Sequence, residues 1–173
     1  MVIEMELMKQ EQFDRVYELF ENSFIPTELR PYHLMKEKWL QQEFKIYTLF
    51  QHKEMIAAMI VWELEGFVYL ENFAVNDCYR GQGIGSYLLK QFMSIYKHQL
   101  LILEVEKPSD TMSQRRIQFY QRHHWHMNPF HYIQPALRDN SEDIELFVMS
   151  YPEMLSQSQF QDIRSKLFYK VYR

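Results

Sequence analysis

The sequence of 173 residues contains little glycine, little proline and almost no cysteine. There are four glycines, six prolines and one cysteine, Cys78. A single cysteine excludes an intrachain disulfide, which is typical of proteins from a reducing compartment. So few glycines and prolines exclude long flexible linkers, and 47% of the residues are hydrophobic. The composition therefore predicts a single globular domain over residues 1–173.

An excess of basic charge and long apolar runs are also missing. The formal net charge of −4 excludes bulk binding to a nucleic acid backbone. No run reaches 18 apolar residues, so no transmembrane helix is predicted. The first ten residues include Glu4 and Glu6 and lack the apolar core of a signal peptide. We therefore expect a cytoplasmic protein that binds neither nucleic acid nor a membrane.

Hydrophobic periodicity predicts an alternation of strands and helices. The predicted helices cover 11–24, 34–43, 83–98, 112–124 and a C-terminal helix at 157–171 within 156–173, and the predicted strands cover 2–8, 45–51, 54–63, 67–75, 100–105, 127–134 and 143–150. His52-Lys53 predicts a hairpin turn. This order predicts a mixed α/β fold (α+β), with a central, mostly antiparallel sheet of about seven strands, one parallel crossover and helices on both faces. The aromatic C-terminal helix is a candidate homodimer contact.

Three of the four glycines fall within five residues, in the segment Arg80-Gly81-Gln82-Gly83-Ile84-Gly85. This segment lies between a predicted strand and a predicted helix. Backbone N–H groups at a helix start have no partner within the helix, and the helix dipole adds positive potential. Glycine lets a phosphate approach the main chain, and Arg80 can add a charge-assisted hydrogen bond. The pattern therefore predicts a pyrophosphate site.

Two other phosphate-binding motifs fit the segment less well. A P-loop requires Lys-Ser/Thr after its last glycine, whereas Ser86-Tyr87 follows Gly85. A dinucleotide motif requires a third glycine or alanine where Ser86 stands, although Glu104 lies about 20 residues further on, as that motif requires. The mid-chain position behind antiparallel strands argues against a doubly wound sheet. A small NAD-binding protein remains an alternative.

Residues 68–92, VYLENFAVNDCYRGQGIGSYLLKQF, resemble the acetyl-CoA-binding segment of the GNAT superfamily of N-acetyltransferases. The family signature is Arg/Gln-x-x-Gly-x-Gly/Ala after a strand that ends in Ala-Val or a similar pair. Arg80, Gly83 and Gly85 occupy its three positions. The resemblance implies the GNAT fold.

A second segment also resembles this family, which has Phe-Tyr-x-x-x-Gly-Phe at the end of a helix. Here the segment 119–125 begins with Phe119-Tyr120, while His124 replaces the glycine and Trp125 the phenylalanine. Ser113 stands where the family usually has asparagine, about seven residues before the tyrosine.

The resemblance implies that acetyl-CoA is the co-substrate and that an amine is the acceptor. The backbone of one strand end would pair with the pantetheine arm, through Phe73, Ala74 and Val75. A main-chain N–H near Val75 would stabilise the oxyanion. The pyrophosphate would be held by Arg80, Gly81, Gln82, Gly83, Ile84, Gly85 and Ser86.

Two residues are the candidate catalytic groups. The resemblance implies that Tyr120 protonates the departing thiolate, as a phenol can do as a general acid. Glu71 lies four residues before Val75 and is the candidate base, acting directly or through water. Glu104 on the neighbouring predicted strand, or a chain of waters, could serve instead. The structural alternatives are a core aromatic residue for Tyr120 and a solvated strand residue for Glu71.

The acceptor pocket is expected to be shaped by the segment Phe24–His33 and the loop 134–142, because loops on a rigid scaffold set specificity. Glu28, Tyr32 and Tyr132 are candidate acceptor contacts. Mild acidity favours a cationic acceptor. A protein that binds acyl-CoA without turnover, as a sensor or interaction module, remains the alternative from another functional class.

Several other residues predict no chemistry. A histidine-rich stretch lacks the spacing of a zinc site, so no metal is predicted; its members are His123, His124, His126 and His131. Cys78 has no histidine around it in a known catalytic pattern. Arg115-Arg116 is interpreted as the solvated face of a helix.

Overall fold

A computed structural model describes residues 4–173, so the first two residues of the strand predicted at 2–8 lie outside the described part. The chain forms two compact units: the first unit comprises Met1–Glu63 with Leu70–Lys97, and the second comprises Leu64–Tyr69 with His98–Arg173. Eight strands and five α-helices occur within residues 4–173, and the strands pair mostly antiparallel. The predicted mixed α/β class is therefore confirmed. The single domain stays a prediction.

The strands of the first unit form a meander. Their bounds are β1, Glu6–Leu7; β2, Phe44–Gln51; β3, Glu54–Leu64; and β4, Phe67–Val75. β2 pairs antiparallel with β1 and with β3. The hairpin turn predicted at His52-Lys53 is confirmed, because both residues have the positive φ (49° and 69°) that a tight two-residue turn requires.

Three helices complete the first unit: α1, Phe13–Ser23; α2, Tyr32–Trp39; and α3, Ile84–Ile95. Hydrophobic residues at helical spacing form a stripe along α1, and four of them are buried: Phe13, Val16, Tyr17 and Phe20. Phe24 lies one residue beyond the end of α1 and is half-buried. The burial of the stripe follows from the 3.6-residue period of the helix.

The second unit contains β5, Leu101–Glu106; β6, His126–Met127; β7, Tyr132–Gln134; β8, Ile144–Tyr151; α4, Thr111–Arg122; and α5, Gln157–Lys166. β8 pairs antiparallel with β5, β6 and β7. β4 begins in this unit, where Val68 N–H donates to Leu100 O (2.8 Å), and ends in the first unit.

One sequence-based bound in the second unit is wrong. The strand predicted at 127–134 is divided into β6 and β7, so the strand count is eight instead of about seven. Between them Asn128 is fully buried, and its amide donates to Val148 O and Ser150 Oγ while accepting from Leu155 N–H. Pro129, which follows, has no N–H for a strand ladder. The helix predicted at 157–171 is helical over those residues: α5 covers Gln157–Lys166, and a π-helical turn covers Leu167–Val171.

No helix within residues 4–173 has the length and apolar character needed to cross a bilayer.

Candidate active site

The glycine segment forms an open loop in the first unit, between β4 and α3. Gly81 and Gly83 have positive φ (75° and 78°), a conformation that other residues rarely adopt. A Cβ atom built at either glycine would meet no atom within 4 Å, so packing is not the reason for glycine here. Gly83 is the N-cap of the twelve-residue helix α3 and provides no side-chain cap. The backbone conformation and the open space match what a bound phosphate requires.

Arg80 is held at the entrance of this loop. Its Nε donates to Val75 O (3.1 Å), and its Nη1 lies 2.7 Å from Asp77 Oδ1. Half of the Arg80 side chain remains exposed. Asn76 fixes the preceding turn, because its side chain accepts from Cys78 N–H and donates to Met55 O. The guanidinium is thus positioned beside the loop while it remains accessible to a ligand.

The end of β4 alternates in burial as a strand in a sheet does. Ala74 is buried, while Phe73 and Val75 are half-buried. The carbonyl of Val75 accepts from the Arg80 side chain, and the N–H of the next residue, Asn76, donates to Ile56 O (2.8 Å). The strand that leads to the loop is therefore tied to the loop by a side chain.

The remaining loop residues lie around these groups. Gln82 is exposed and its amide donates to Cys78 O (3.3 Å). Ile84, Gly85 and Ser86 form the first turn of α3 and are half-buried. All the residues predicted to bind the cofactor therefore lie in the first unit, on β4, on the loop that follows it or in the first turn of α3.

Glu71 is not the solvated strand residue considered as its structural alternative. Its side chain is only 5% exposed; Oε1 accepts from Arg30 Nη2 (2.8 Å) and Oε2 accepts from Trp62 Nε1 (2.7 Å). Arg30 is 6% exposed, so the pair is a buried ion pair. Lys38 lies 5.7 Å from the centre of the Trp62 ring, and burial, followed by the charge of Arg30, lowers its pKa.

The sequence analysis assigned no role to Arg30. It lies in the irregular segment between α1 and α2, which was expected to shape the acceptor pocket. Its carbonyl accepts from the buried Tyr17 hydroxyl (3.1 Å), so both its main chain and its side chain are fixed.

Tyr120 lies in the second unit, in the last turn of α4. It is 8% exposed, and its ring packs edge-on against Phe119 and Trp125. Burial raises its pKa to about 12, with a smaller opposing effect from Arg116. Its hydroxyl makes no hydrogen bond to any residue of the described chain, 4–173. The phenol is thus protonated at neutral pH.

Glu104 and Tyr132 belong to one buried network in the second unit. The carboxylate of Glu104 accepts from the hydroxyls of Tyr69, Tyr132 and Tyr172, and Gln134 donates to Tyr172. Tyr132 is 1% exposed, so its predicted role as an acceptor contact is wrong in this structure. Burial and the Glu104 charge both raise the pKa of Tyr132.

The other two candidate acceptor contacts lie in the first unit. Glu28 is half-buried in the segment between α1 and α2. Tyr32 is 37% exposed, and its hydroxyl donates to Asp14 while its ring packs edge-on against Phe13 and Tyr17. Tyr32 therefore remains the more accessible aromatic candidate.

The histidines, Cys78 and Arg116, for which no chemistry was predicted, make separate contacts. Within residues 4–173 no three His, Cys, Asp or Glu side chains form a group that could hold a metal ion. His126 contacts Pro152 O, and His131 lies 3.1 Å from Glu145. Cys78 is a free, exposed thiol, and Arg116 lies 3.4 Å from Glu106.

His124 occupies a left-handed conformation, with φ of 66°. The left-handed region costs an L-residue about 1–2 kcal/mol and costs glycine almost nothing. We expect His124→Gly to raise the free energy of unfolding by about 1 kcal/mol, measured by urea denaturation. His126→Gly, within β6, is the matched control and should lower it, because glycine weakens a strand. A loss of stability in the His124→Gly variant would contradict this account.

The chain resembles known proteins over most of its length. The "Putative acetyltransferase YjbC" of Bacillus subtilis (strain 168) is 23% identical over 152 residues, which cover 87% of this chain and 78% of that protein. The structure of a "Putative acetyltransferase from GNAT family" from Bacteroides thetaiotaomicron superposes with a TM-score of 0.90, at 27% identity and 98% coverage of both chains.

A more distant structure shares the fold. Arabidopsis thaliana Naa50, in complex with the bisubstrate analogue CoA-Ac-MVNAL, has a TM-score of 0.65 at 16% identity, covering 88% of this chain and 100% of that chain. The model of the acetyltransferase (GNAT) family matches residues 13–125, which include β4, the glycine loop, Glu71 and Tyr120. The match covers more than half of the sequence, and the chain belongs to the GNAT acetyltransferase family.

Proposed function

We propose that this protein transfers the acetyl group of acetyl-CoA to a primary amine of a small molecule or a peptide. The observation that carries the proposal is the loop at the start of α3, where Gly81 and Gly83 are left-handed, open and adjacent to a positioned Arg80. A pyrophosphate is a suitable ligand for such a loop. The complex of Naa50 with an analogue that contains CoA supports the assignment of this co-substrate to the fold.

The cofactor residues have distinct roles in this proposal. The loop from Arg80 to Ser86 binds the pyrophosphate through backbone N–H groups and one guanidinium. The backbone of residues 73–75 pairs with the pantetheine arm. The main-chain N–H near Val75 stabilises the negative charge that develops on the thioester oxygen.

The reaction requires two proton transfers. The neutral amine attacks the thioester carbonyl, the new C–N bond forms, and the C–S bond breaks to release CoA thiolate. The thiolate takes the hydroxyl proton of Tyr120, and the nitrogen loses its proton to Glu71, directly or through water. Burial of Tyr120 keeps its proton in place at neutral pH, which suits a general acid.

The thiol of Cys78 supports a location in a reducing compartment, and we infer the cytoplasm. The thiol is exposed, so an oxidising environment would leave it open to disulfide formation.

The test of the proposal is turnover. Purified protein is incubated with acetyl-CoA and a panel of primary amines, free CoA is measured with a thiol reagent, and the acetylated amine is identified by mass spectrometry. Stoichiometric CoA and N-acetyl product are expected for at least one amine. Tight binding of acetyl-CoA without product from any amine would favour the acyl-CoA sensor.

Substitution of Gly83 should separate cofactor binding from folding. We expect Gly83→Ala to weaken acetyl-CoA binding at least 10-fold by calorimetry, because a Cβ atom enters the space where the phosphate approaches. Gly66→Ala is the matched control, since Gly66 also has a positive φ (91°) and lies in the β3–β4 turn. Both variants should lose similar stability, but only Gly83→Ala should lose affinity. If the two variants bind acetyl-CoA with equal affinity, the loop is not part of the cofactor site.

A further inference from the structure

The side chain of Lys38 brings a primary amine to the buried group around Glu71, within the first unit. Lys38 lies in the last turn of α2 and is half-buried. Its ammonium lies 5.7 Å from the centre of the Trp62 ring, and the indole N–H of Trp62 donates to Glu71 Oε2 (2.7 Å). One aromatic side chain therefore has a lysine amine over its ring and the proposed catalytic base on its N–H.

The surroundings of Lys38 favour its neutral amine, which is the nucleophilic form. Burial is the largest cause that lowers the pKa of Lys38, and the charge of Arg30 is the next, while the charges of Glu71 and Glu37 act in the opposite direction. The guanidinium of Arg30 is held in place by its ion pair with Glu71 (2.8 Å), so its positive charge stays close to the lysine. A lysine that loses its proton more readily is a better nucleophile.

Lys36 lies two residues earlier on α2 and has different surroundings. Its side chain is exposed, and its ammonium lies 5.6 Å from the centre of the Phe13 ring and 5.2 Å from that of Tyr32. Residues two apart on a helix do not face each other. Both lysines thus lie over aromatic rings, and Lys38 differs from Lys36 in its burial and in its proximity to the Arg30–Glu71 pair.

We propose that Lys38 is a modification site, and that this protein acetylates the Lys38 amine with the acetyl-CoA bound to the same chain. The proposal rests on the proposed function, which assigns the base to Glu71 and the co-substrate to acetyl-CoA. An acceptor nitrogen must lie within reach of the base, directly or through one water. Lys38 can meet this requirement, because its four-carbon side chain is flexible and its amine already lies beside the tryptophan that binds Glu71.

Acetylation of Lys38 follows the same steps as transfer to a free amine. The Lys38 ammonium first releases one proton to solvent, and the neutral nitrogen attacks the thioester carbonyl. The C–N bond forms, and the C–S bond breaks with its electron pair on the CoA sulfur. The nitrogen passes its second proton to Glu71, directly or through water, and the thiolate takes the hydroxyl proton of Tyr120. The products are an N-acetylated Lys38 and free CoA.

The test measures the rate of acetylation at each lysine. The full chain is incubated with acetyl-CoA in a buffer without primary amines, and acetylated peptides are quantified by mass spectrometry. We expect Lys38 to react at least about 10-fold faster than Lys36, because its amine is held beside the reacting groups. The rate constant should not depend on protein concentration, since amine and cofactor belong to one chain. In protein unfolded by guanidinium chloride the preference for Lys38 should fall below about 2-fold, because the unfolded chain lacks these surroundings.

Variants of the glycine loop separate catalysed from spontaneous acetylation. At subsaturating acetyl-CoA, Gly83→Ala should slow the reaction of Lys38 and leave that of Lys36 unchanged, while Gly66→Ala should change neither. Equal rates at the two lysines, or a rate constant that rises with protein concentration, would overturn the proposal. Acetylation of an added amine without modification of Lys38 would overturn this proposal alone. Modification of Lys38 without product from any added amine would support the site and overturn transfer to a free amine.

Discussion

Replacement of Tyr120 by phenylalanine is expected to lower kcat about 100-fold while the affinity for acetyl-CoA stays within 2-fold. Phenylalanine keeps the edge-on packing with Phe119 and Trp125 and removes only the hydroxyl. A general acid contributes about 10²–10⁴-fold to a reaction rate. The hydroxyl has no hydrogen-bond partner among residues 4–173, so its removal leaves no buried protein group unpaired. Steady-state kinetics with calorimetry of acetyl-CoA binding would measure both quantities.

The control is Tyr169→Phe, since Tyr169 is 64% exposed in the C-terminal turn and should leave kcat unchanged. The pKa of Tyr120, raised to about 12, also predicts that deprotonation of this phenol causes no loss of kcat below about pH 11. A Tyr120→Phe variant with more than half of the original kcat would rule out the proposed acid. An equal loss in Tyr169→Phe would show that the effect is not specific to Tyr120.

Replacement of Arg30 by alanine is expected to destabilise the protein by about 3–5 kcal/mol. The guanidinium and the Glu71 carboxylate are both almost fully buried, and removal of one partner leaves a buried charge without its ion-pair partner. For a chain of this size the loss corresponds to a fall in Tm of roughly 10 °C or more. Differential scanning calorimetry would measure it.

Two further variants show whether the buried charge is the cause. Arg30→Met with Glu71→Gln removes both charges and keeps an acceptor for Trp62 Nε1, so it should recover at least half of the lost stability. Lys107→Ala breaks an exposed ion pair with Glu145 and should leave Tm unchanged. If Arg30→Ala melts like the unsubstituted protein, the ion pair does not fix the segment between α1 and α2.

The strands and helices that follow a strong period could be predicted from sequence. β4 was predicted at the residues where the structure has it, 67–75, and the tight turn at His52-Lys53 was recognised because only two residues separate two hydrophobic runs. The strand at 127–134 was predicted as continuous. Its interruption depends on hydrogen bonds of Asn128 to residues about 20 positions away, and no local pattern contains that information.

The candidate site, too, could be predicted only in part from the sequence. The glycine loop could be predicted because backbone positions that have a positive φ and open space around them are occupied by glycine, which is visible in the sequence. The partner of Glu71 could not, because Arg30 lies 41 residues away and its burial depends on tertiary packing. The burial of Tyr132 was not predicted for the same reason, since its hydroxyl donates to Glu104, 28 residues earlier in the chain.

A thermal-shift comparison of acetyl-CoA, CoA, NAD and NADP would test the central claim most directly. A ligand at 100 times its dissociation constant stabilises the folded state by about 2.7 kcal/mol, which raises Tm by roughly 5–10 °C for a domain of this size. The account predicts such a shift with acetyl-CoA and CoA and none with NAD or NADP. A shift with NAD alone would contradict it and would assign the glycine loop to dinucleotide binding.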